Sequence, residues 1–271
     1  MIEFYKLITS GIPEYFLFLF IMLVSVGTFI GICKNIIECI GDQVVKIVMA
    51  SKSQMVFKPG LGERPLWDFQ AGTLWQREYL ASQVYELMNV QVPKSYLVNE
   101  SVLGSGLLME YVDLKETDIA LILPLTDNPG DGWISSISGV TSTNEEVVLW
   151  HKNLTQLRAI ALADVVTNNA DRKVGHVGLV NENFVAFDHG LTFHSDPKLR
   201  TFMWGWQGSE LLDTEISTLK RVKEDLNIYN FEELISDEEI NSLYLRIENL
   251  LEASVFPALP EDRPALPWPV F

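Results

Sequence analysis

The stretch Asn168–Gly190 reads N-N-A-D-R-K-V-G-H-V-G-L-V-N-E-N-F-V-A-F-D-H-G. Its two short apolar runs, Val177–Val180 and Phe184–Phe187, flank Asn181-Glu182-Asn183, whose turn chemistry suits a three-residue hairpin loop. If Val180 pairs with Phe184, His176 falls opposite Asp188, and both gather with the Asp171 loop at one sheet edge. Clustered acids need a compensating cation, and a divalent metal with nucleotide phosphate suits hard carboxylate oxygens. The same residues also read as a polar hairpin with solvated acids at its ends, and the local pattern alone leaves both open.

Working outward, 271 residues suffice for one large domain or two packed lobes with a substantial core. A formal charge of -16 argues against a general nucleic-acid binder, because phosphate backbones require a basic surface. Much of the acid sits in the last quarter, at Glu224-Asp225, Glu232-Glu233 and Asp237-Glu238-Glu239, interleaved with apolar residues as on solvated helix faces. The two cysteines, Cys33 and Cys39, imply neither a disulfide framework nor a zinc cluster and fit a reducing compartment. The four histidines form no helical metal pair, so zinc hydrolysis is disfavoured.

The segment Tyr15–Cys33 carries no charge and is long enough to cross a bilayer as a single helix. Lys34 and Lys46 behind it favour a cytoplasmic C-terminal side, giving an expected cytoplasmic domain anchored by one span. A buried helix and an upstream extension from a misplaced start codon are the alternatives. A cleavable signal peptide fits less well, since no small-x-small site follows.

Beyond Gly41-Asp42, the runs Gln43–Met49 and Gln54–Lys58 predict a β-hairpin ending in Lys58. The loop Gly60–Thr73 leads to a helix from Leu74 to Met88, with Thr73 as its expected cap and Glu78 one turn in. Leu107–Val112 is a buried-strand candidate, and Asp113–Gly139 reads as a connector broken by proline and glycine. Thr143 and Glu146 make a capping box before a long helix whose buried side carries Val147, Trp150, Leu154, Leu157, Ile160, Ala161 and Val165. Acidic amphipathic helices are expected near Leu211–Leu226 and Phe231–Ser254, and the proline-dense tail cannot be helical.

Three words make this layout specific: F-K-P-G-L-G-E-R-P-L-W-D-F-Q-A-G-T-L-W-Q-R-E from Phe57, D-V-V-T-N-N-A-D-R-K-V-G-H from Asp164, and F-D-H-G-L-T-F-H from Phe187. They closely resemble an actinobacterial family with a phosphatidylinositol 3- and 4-kinase-like catalytic domain, over approximately residues 56–271. The resemblance implies an α+β, two-lobed protein-kinase-like fold with a reduced N-terminal lobe, divided into a small nucleotide-binding lobe at 41–113 and a large catalytic lobe at 114–271; the hydrophobic segment at 1–40 lies outside it. It implies ATP and Mg2+ as cofactors and transfer of the γ-phosphate to a hydroxyl.

Residue by residue, the resemblance makes Lys58 the phosphate-binding lysine and Glu78 its helix partner. Met109, Glu110, Tyr111 and Val112, running into Asp113, become the linker whose backbone reads the adenine. Asp171 is the catalytic aspartate, with Arg172 and Lys173 neutralising charge on the transferring group. Asp188 is the metal-holding aspartate, while His176 stands where asparagine usually ligates a second metal, with Asn169 as the candidate substitute. Lys198 and Arg200 are possible anchors for an acidic head group. The departures are His176 itself, a softer donor than an amide oxygen, and the lack of a G-x-G-x-x-G loop before Lys58. They keep open a pseudokinase or nucleotide-sensing module, and a metal-dependent hydrolase built on His176, Asp188 and His189.

Overall fold

Three consecutive strands, β1 (Asn35–Ile40), β2 (Gln43–Ala50) and β3 (Ser53–Pro59), form an antiparallel meander, of which the sequence predicts the β2–β3 hairpin with Lys58 at its end. The computed structural model describes residues 35–40, 43–50, 53–101, 104–226, 229 and 231–271. Helix α1 (Leu74–Leu87) crosses from β3 to β4 (Ser95–Ser101), which pairs with β5 (Gly104–Glu110). The strand order of this sheet is β1-β2-β3-β5-β4. Residues 35–40, left with the N-terminal segment on sequence grounds, are therefore its edge strand.

A second sheet was not foreseen. The presumed connector contains β6 (Ala120–Pro124) and β7 (Trp133–Val140), and both pair with β8 (Glu146–Lys152). The predicted long helix is thus two elements: its first half is β8, and α2 starts only at Thr155 and runs to Thr167. V-V-L-W supplies β-branched and aromatic residues that pair on both sides, and this outweighs their accidental helical spacing. The supposed capping box is the β7–β8 turn, with Asn144 at φ 66 and Thr141 N–H donating to Glu145 O at 2.9 Å.

Helix α2 is buried nearly all round, as its A-I-A-L-A-D-V-V run requires, with Leu157, Ile160 and Val166 at the centre of the main core. Each such side chain contributes about 2 kcal/mol by leaving water. A short 3-10 turn (Val174–His176) leads into the hairpin β9 (Val177–Val180) and β10 (Asn183–Ala186). Its register pairs Val180 with Asn183, one residue off the expected pairing, because Asn181 (φ 46) and Glu182 (φ 68) form a two-residue loop. His176 nevertheless stays beside the strand end, its carbonyl accepting from Phe187 N–H at 3.1 Å.

The amphipathic helices α3 (Asp213–Asp225) and α4 (Asp237–Ala253) follow, α4 capped reciprocally by Ser236 and Glu239. The tail is irregular, as its prolines dictate. Among the described residues, the chain is a mixed α/β structure with four α-helices and three small sheets.

The expected membrane anchoring is corrected. No helix of the described residues is long and apolar enough to cross a membrane, and the segment 15–33 lies outside those residues.

Candidate active site

Lys58 leaves the end of β3 toward α1, and its Nζ lies 2.7 and 2.8 Å from the two carboxylate oxygens of Glu78. The neighbouring strand makes room for this, because a Cβ on Gly106 would stand 2.5 Å from the Lys58 carbonyl oxygen. Asp188 Oδ1 is 3.5 Å from the same ammonium. Burial opposes charge on Lys58, but the carboxylates of Glu78 and Asp188 outweigh it and hold the ammonium protonated well above the usual range. Lys58 in turn draws the Asp188 carboxyl well below the ordinary carboxylate range, against the opposing effect of burial. Asp188 has φ 59, a left-handed conformation that a non-glycine residue adopts only where its surroundings over-determine it.

His176 Nδ1 lies 2.9 Å from the carbonyl oxygen of Asp171, which can only accept, so this nitrogen carries the proton. Burial, followed by the nearby cations Arg172 and Lys173, outweighs the pull of Asp188 and lowers the imidazole pKa to about 4. The ring is therefore neutral at pH 7, and its Nε2 lone pair faces Asp188 Oδ2 at 3.3 Å. Two acceptor atoms held this close leave a place for a cation between them. Asp171 itself pairs with Lys173 at 2.9 Å, while burial raises its pKa.

Lys58, Glu78, Asp171, Lys173 and Asp188 share one cleft of about 470 Å3, walled by the Gly60–Leu66 loop on one side and reached by Trp268 of the tail. Of the residues named from sequence, these five come together, with His176 adjoining through Asp188.

The others do not. Arg172 is fully buried, with Nε on Asp164 (3.0 and 3.1 Å), Nη1 on the carbonyls of His176 and Phe187 (3.0 Å each), and Nη2 on Tyr85 (3.0 Å) and His189 Nδ1 (2.9 Å). All its N–H groups are engaged, so it cannot meet a transferring phosphoryl group. It is the post that joins the two ends of the hairpin to α1 and α2. Asn169 is likewise buried: its Oδ1 accepts from Asp171 N–H at 2.9 Å and its amide donates to Asp164 at 3.0 Å. This fixes the Asp171 turn and corrects its assignment as a metal ligand. Asn168, in the left-handed region, holds the His194–Lys198 loop in the same way.

The linker Met109–Val112 is also placed elsewhere. Met109 is buried against Trp75 and Leu107, while Glu110, Tyr111 and Val112 line a separate cleft of about 640 Å3. The amides of Glu110 and Tyr111 already donate to Lys94 O (2.8 Å) and Gln54 O (2.9 Å). Lys198 pairs with Asp68 at 2.9 Å and lies over the Trp67 ring, so it is engaged within the chain.

Sequence reading missed Asp164 and Tyr85, whose side chains hydrogen-bond each other beneath the site. A lone aspartate inside an apolar helical run was the available signal, since a buried carboxylate must be paired. It also missed how α1 is fixed. Thr73 does not cap the helix; the Glu63 carboxylate does, accepting from Leu74 and Trp75 N–H at 3.1 and 2.8 Å. Arg77 bolts the helix to Glu239 of α4 at 2.7 Å and to the carbonyl of Thr192 at 2.9 Å.

Among the described residues, no group of three or more His, Cys, Asp or Glu side chains gathers to hold a metal. Asp188 and His176 fit a divalent ion held jointly with a phosphate, because such ions are commonly bound by one or two protein donors plus substrate oxygens. A self-sufficient hydrolase centre with His189 does not fit, since His189 Nδ1 accepts from Arg172 in the core.

These features define a mixed α/β protein with one charged cleft that pairs a lysine and a glutamate with two aspartates. No protein-family model matches the sequence. The protein Rv2133c of Mycobacterium tuberculosis is 34% identical over 230 residues, spanning 80% of this chain and 82% of that protein, and the chain belongs to the same family. A search of solved structures returned the Helicobacter pylori proinflammatory kinase CtkA, at 10% identity and a TM-score of 0.42, covering 82% of this chain and 93% of that one.

Proposed function

We propose that the chain is an ATP-dependent phosphotransferase that moves the γ-phosphoryl group to an alcohol hydroxyl, with residues 35–113, edge strand β1 included, as its small lobe and 114–271 as its large lobe. The observation that carries this reading is the Lys58–Glu78 pair at 2.7 Å with Asp188 3.5 Å from the same ammonium, in one cleft with Asp171 and Lys173. Lys58, held charged, supplies a fixed positive charge for the nucleotide phosphates, and Glu78 orients it. Asp188 and His176 would hold a divalent ion, Mg2+ or a softer relative that tolerates the imidazole. Bound there, the ion would neutralise charge on the phosphates.

Asp171 takes the proton from the acceptor hydroxyl. The hydroxyl oxygen then bonds to the γ-phosphorus as the bond to the β–γ bridging oxygen breaks, and ADP leaves with that oxygen. Burial, which raises the Asp171 pKa, makes it a better base than a solvated carboxylate, and Lys173 keeps it ionised beforehand. The test is label transfer from γ-labelled ATP by the purified chain. Asp171→Ala and Asp188→Ala should each abolish it; labelling that persists in both variants removes the assigned site, and nucleotide-induced stabilisation without labelling in the wild type leaves a binding module.

A further inference from the structure

We infer that the second cleft, between the end of α1, the exit of β5 and the β9–β10 hairpin, is a docking groove for a basic polypeptide segment that carries an apolar side chain. It encloses about 640 Å3 and shares no described lining residue with the active cleft, so the groove stands apart from the phosphotransferase site. Its floor is apolar. Val90, Val92, Val112, Val180 and Val185 line it from three separate segments, Val90 and Val185 buried and the others half-buried. Valine side chains are stiff, so the floor keeps its shape before a partner arrives. The walls are tied by backbone hydrogen bonds: Ala186 N–H donates to Gln91 O at 2.9 Å, Glu110 N–H to Lys94 O at 2.8 Å, and Lys115 and Leu179 exchange two bonds of 3.1 Å. A groove fixed in this way loses little freedom when it is filled.

The rim is acidic. Among the described residues, the lining holds three exposed carboxylates, Glu86, Glu110 and Asp113, and no lysine, arginine or histidine. Glu86 stands in the last turn of α1, where the negative end of the helix dipole disfavours it and no basic residue of that turn offsets it. The three do not converge on one point: no group of three or more His, Cys, Asp or Glu side chains among the described residues could hold a metal ion. Spread over two walls, they suit cations carried in succession along a chain. Nucleic acid is excluded by its phosphates, and a second copy of a chain with a formal charge of -16 is repelled. The complementary partner is a segment whose lysines or arginines meet the rim while an apolar residue covers the valine floor. Exposed ion pairs are individually weak, so the rim steers encounter and selects the partner, and the floor anchors it.

Panning the full chain against a displayed library of random heptapeptides, then measuring the selected peptides by fluorescence anisotropy, tests this. Selected sequences should combine lysines or arginines with an apolar residue. Glu86→Lys with Glu110→Lys should weaken their binding at least about tenfold, because attraction at the rim becomes repulsion. Val112→Thr, which places a hydroxyl in the floor at nearly constant shape, should weaken it about threefold. Asp127→Lys with Asp131→Lys makes the same change in net charge on the exposed β6–β7 loop and should leave affinity within about twofold. Selected peptides without basic residues, equal loss in the two double variants, no loss in Val112→Thr, or displacement of the peptides by ATP overturns the assignment. Dimerisation of the wild type that Glu86→Lys with Glu110→Lys abolishes would place a second copy in the groove, and overturns it too.

Discussion

The Nε2 atom of His176 lies 3.3 Å from Oδ2 of Asp188, with its proton committed to the other ring nitrogen by the carbonyl of Asp171. Two facing lone pairs are mutually repulsive until a cation or a proton comes between them. His176→Ala should therefore weaken Mn2+ binding in the presence of nucleotide by about tenfold or more, as loss of a metal ligand does. His176→Asn, with a hard amide oxygen, should shift preference from Mn2+ toward Mg2+. Metal titrations followed by thermal shift decide it; identical metal dependence in all three proteins removes the imidazole from the site.

The Lys58–Glu78 pair should reveal itself in stability as well as binding. Lys58→Met leaves the Glu78 side chain, 4% exposed, without its counterion, and should cost on the order of 3 kcal/mol. Adding Glu78→Leu should restore much of that stability while nucleotide binding stays lost. Urea unfolding of both variants reads the first effect and calorimetry the second.

Arg172 separates a structural role from a chemical one. Arg172→Met strands the Asp164 carboxylate in the core and should destabilise the fold by about 3–5 kcal/mol. A variant with wild-type unfolding behaviour but no activity would return Arg172 to the catalytic group.

Acid sensitivity should follow the buried histidines. His151 is fully buried, donates from Nδ1 to Lys152 O and accepts Gly205 N–H at Nε2, both at 3.0 Å, and burial lowers its pKa to about 4. Its folded pKa lies below the unfolded value near 6.5, so the unfolded state binds more protons in between. Stability is full above pH 6.5 and is lost as pH falls toward 4, by about 3 kcal/mol for this residue. His151→Gln can still accept from Gly205 but does not titrate, so its melting temperature should fall less between pH 7 and pH 4.5 than that of the wild type.

The site was legible where chemistry is local. Lys58 at a strand end, Asp171 after an apolar helix and Asp188 after a hairpin all stand where the pattern put them, because alternation and turn residues fix their elements. The reading failed where neighbours decide. Val147–Trp150 carries a helical spacing but pairs with two strands that looked like connector, and a strand cannot be judged without its partners. Arg172 and Lys173 are adjacent in sequence, yet one points into the core and the other into the cleft. Only the packing around Asp164 and Tyr85 distinguishes them.

By itself the sequence determined the β2–β3 and β9–β10 hairpins, the helix α1, the acidic character of the surface helices and the identity of the charged groups, since these depend on side-chain chemistry and short-range periodicity. The tertiary structure decided which of those groups meet. Glu63 finds the first turn of α1, Arg77 finds α4, and Gly106 lets β5 approach the Lys58 carbonyl, all through contacts between segments distant in the chain. Such pairings follow from which buried charges can be satisfied together, a property of the whole packed core that no local window of residues contains.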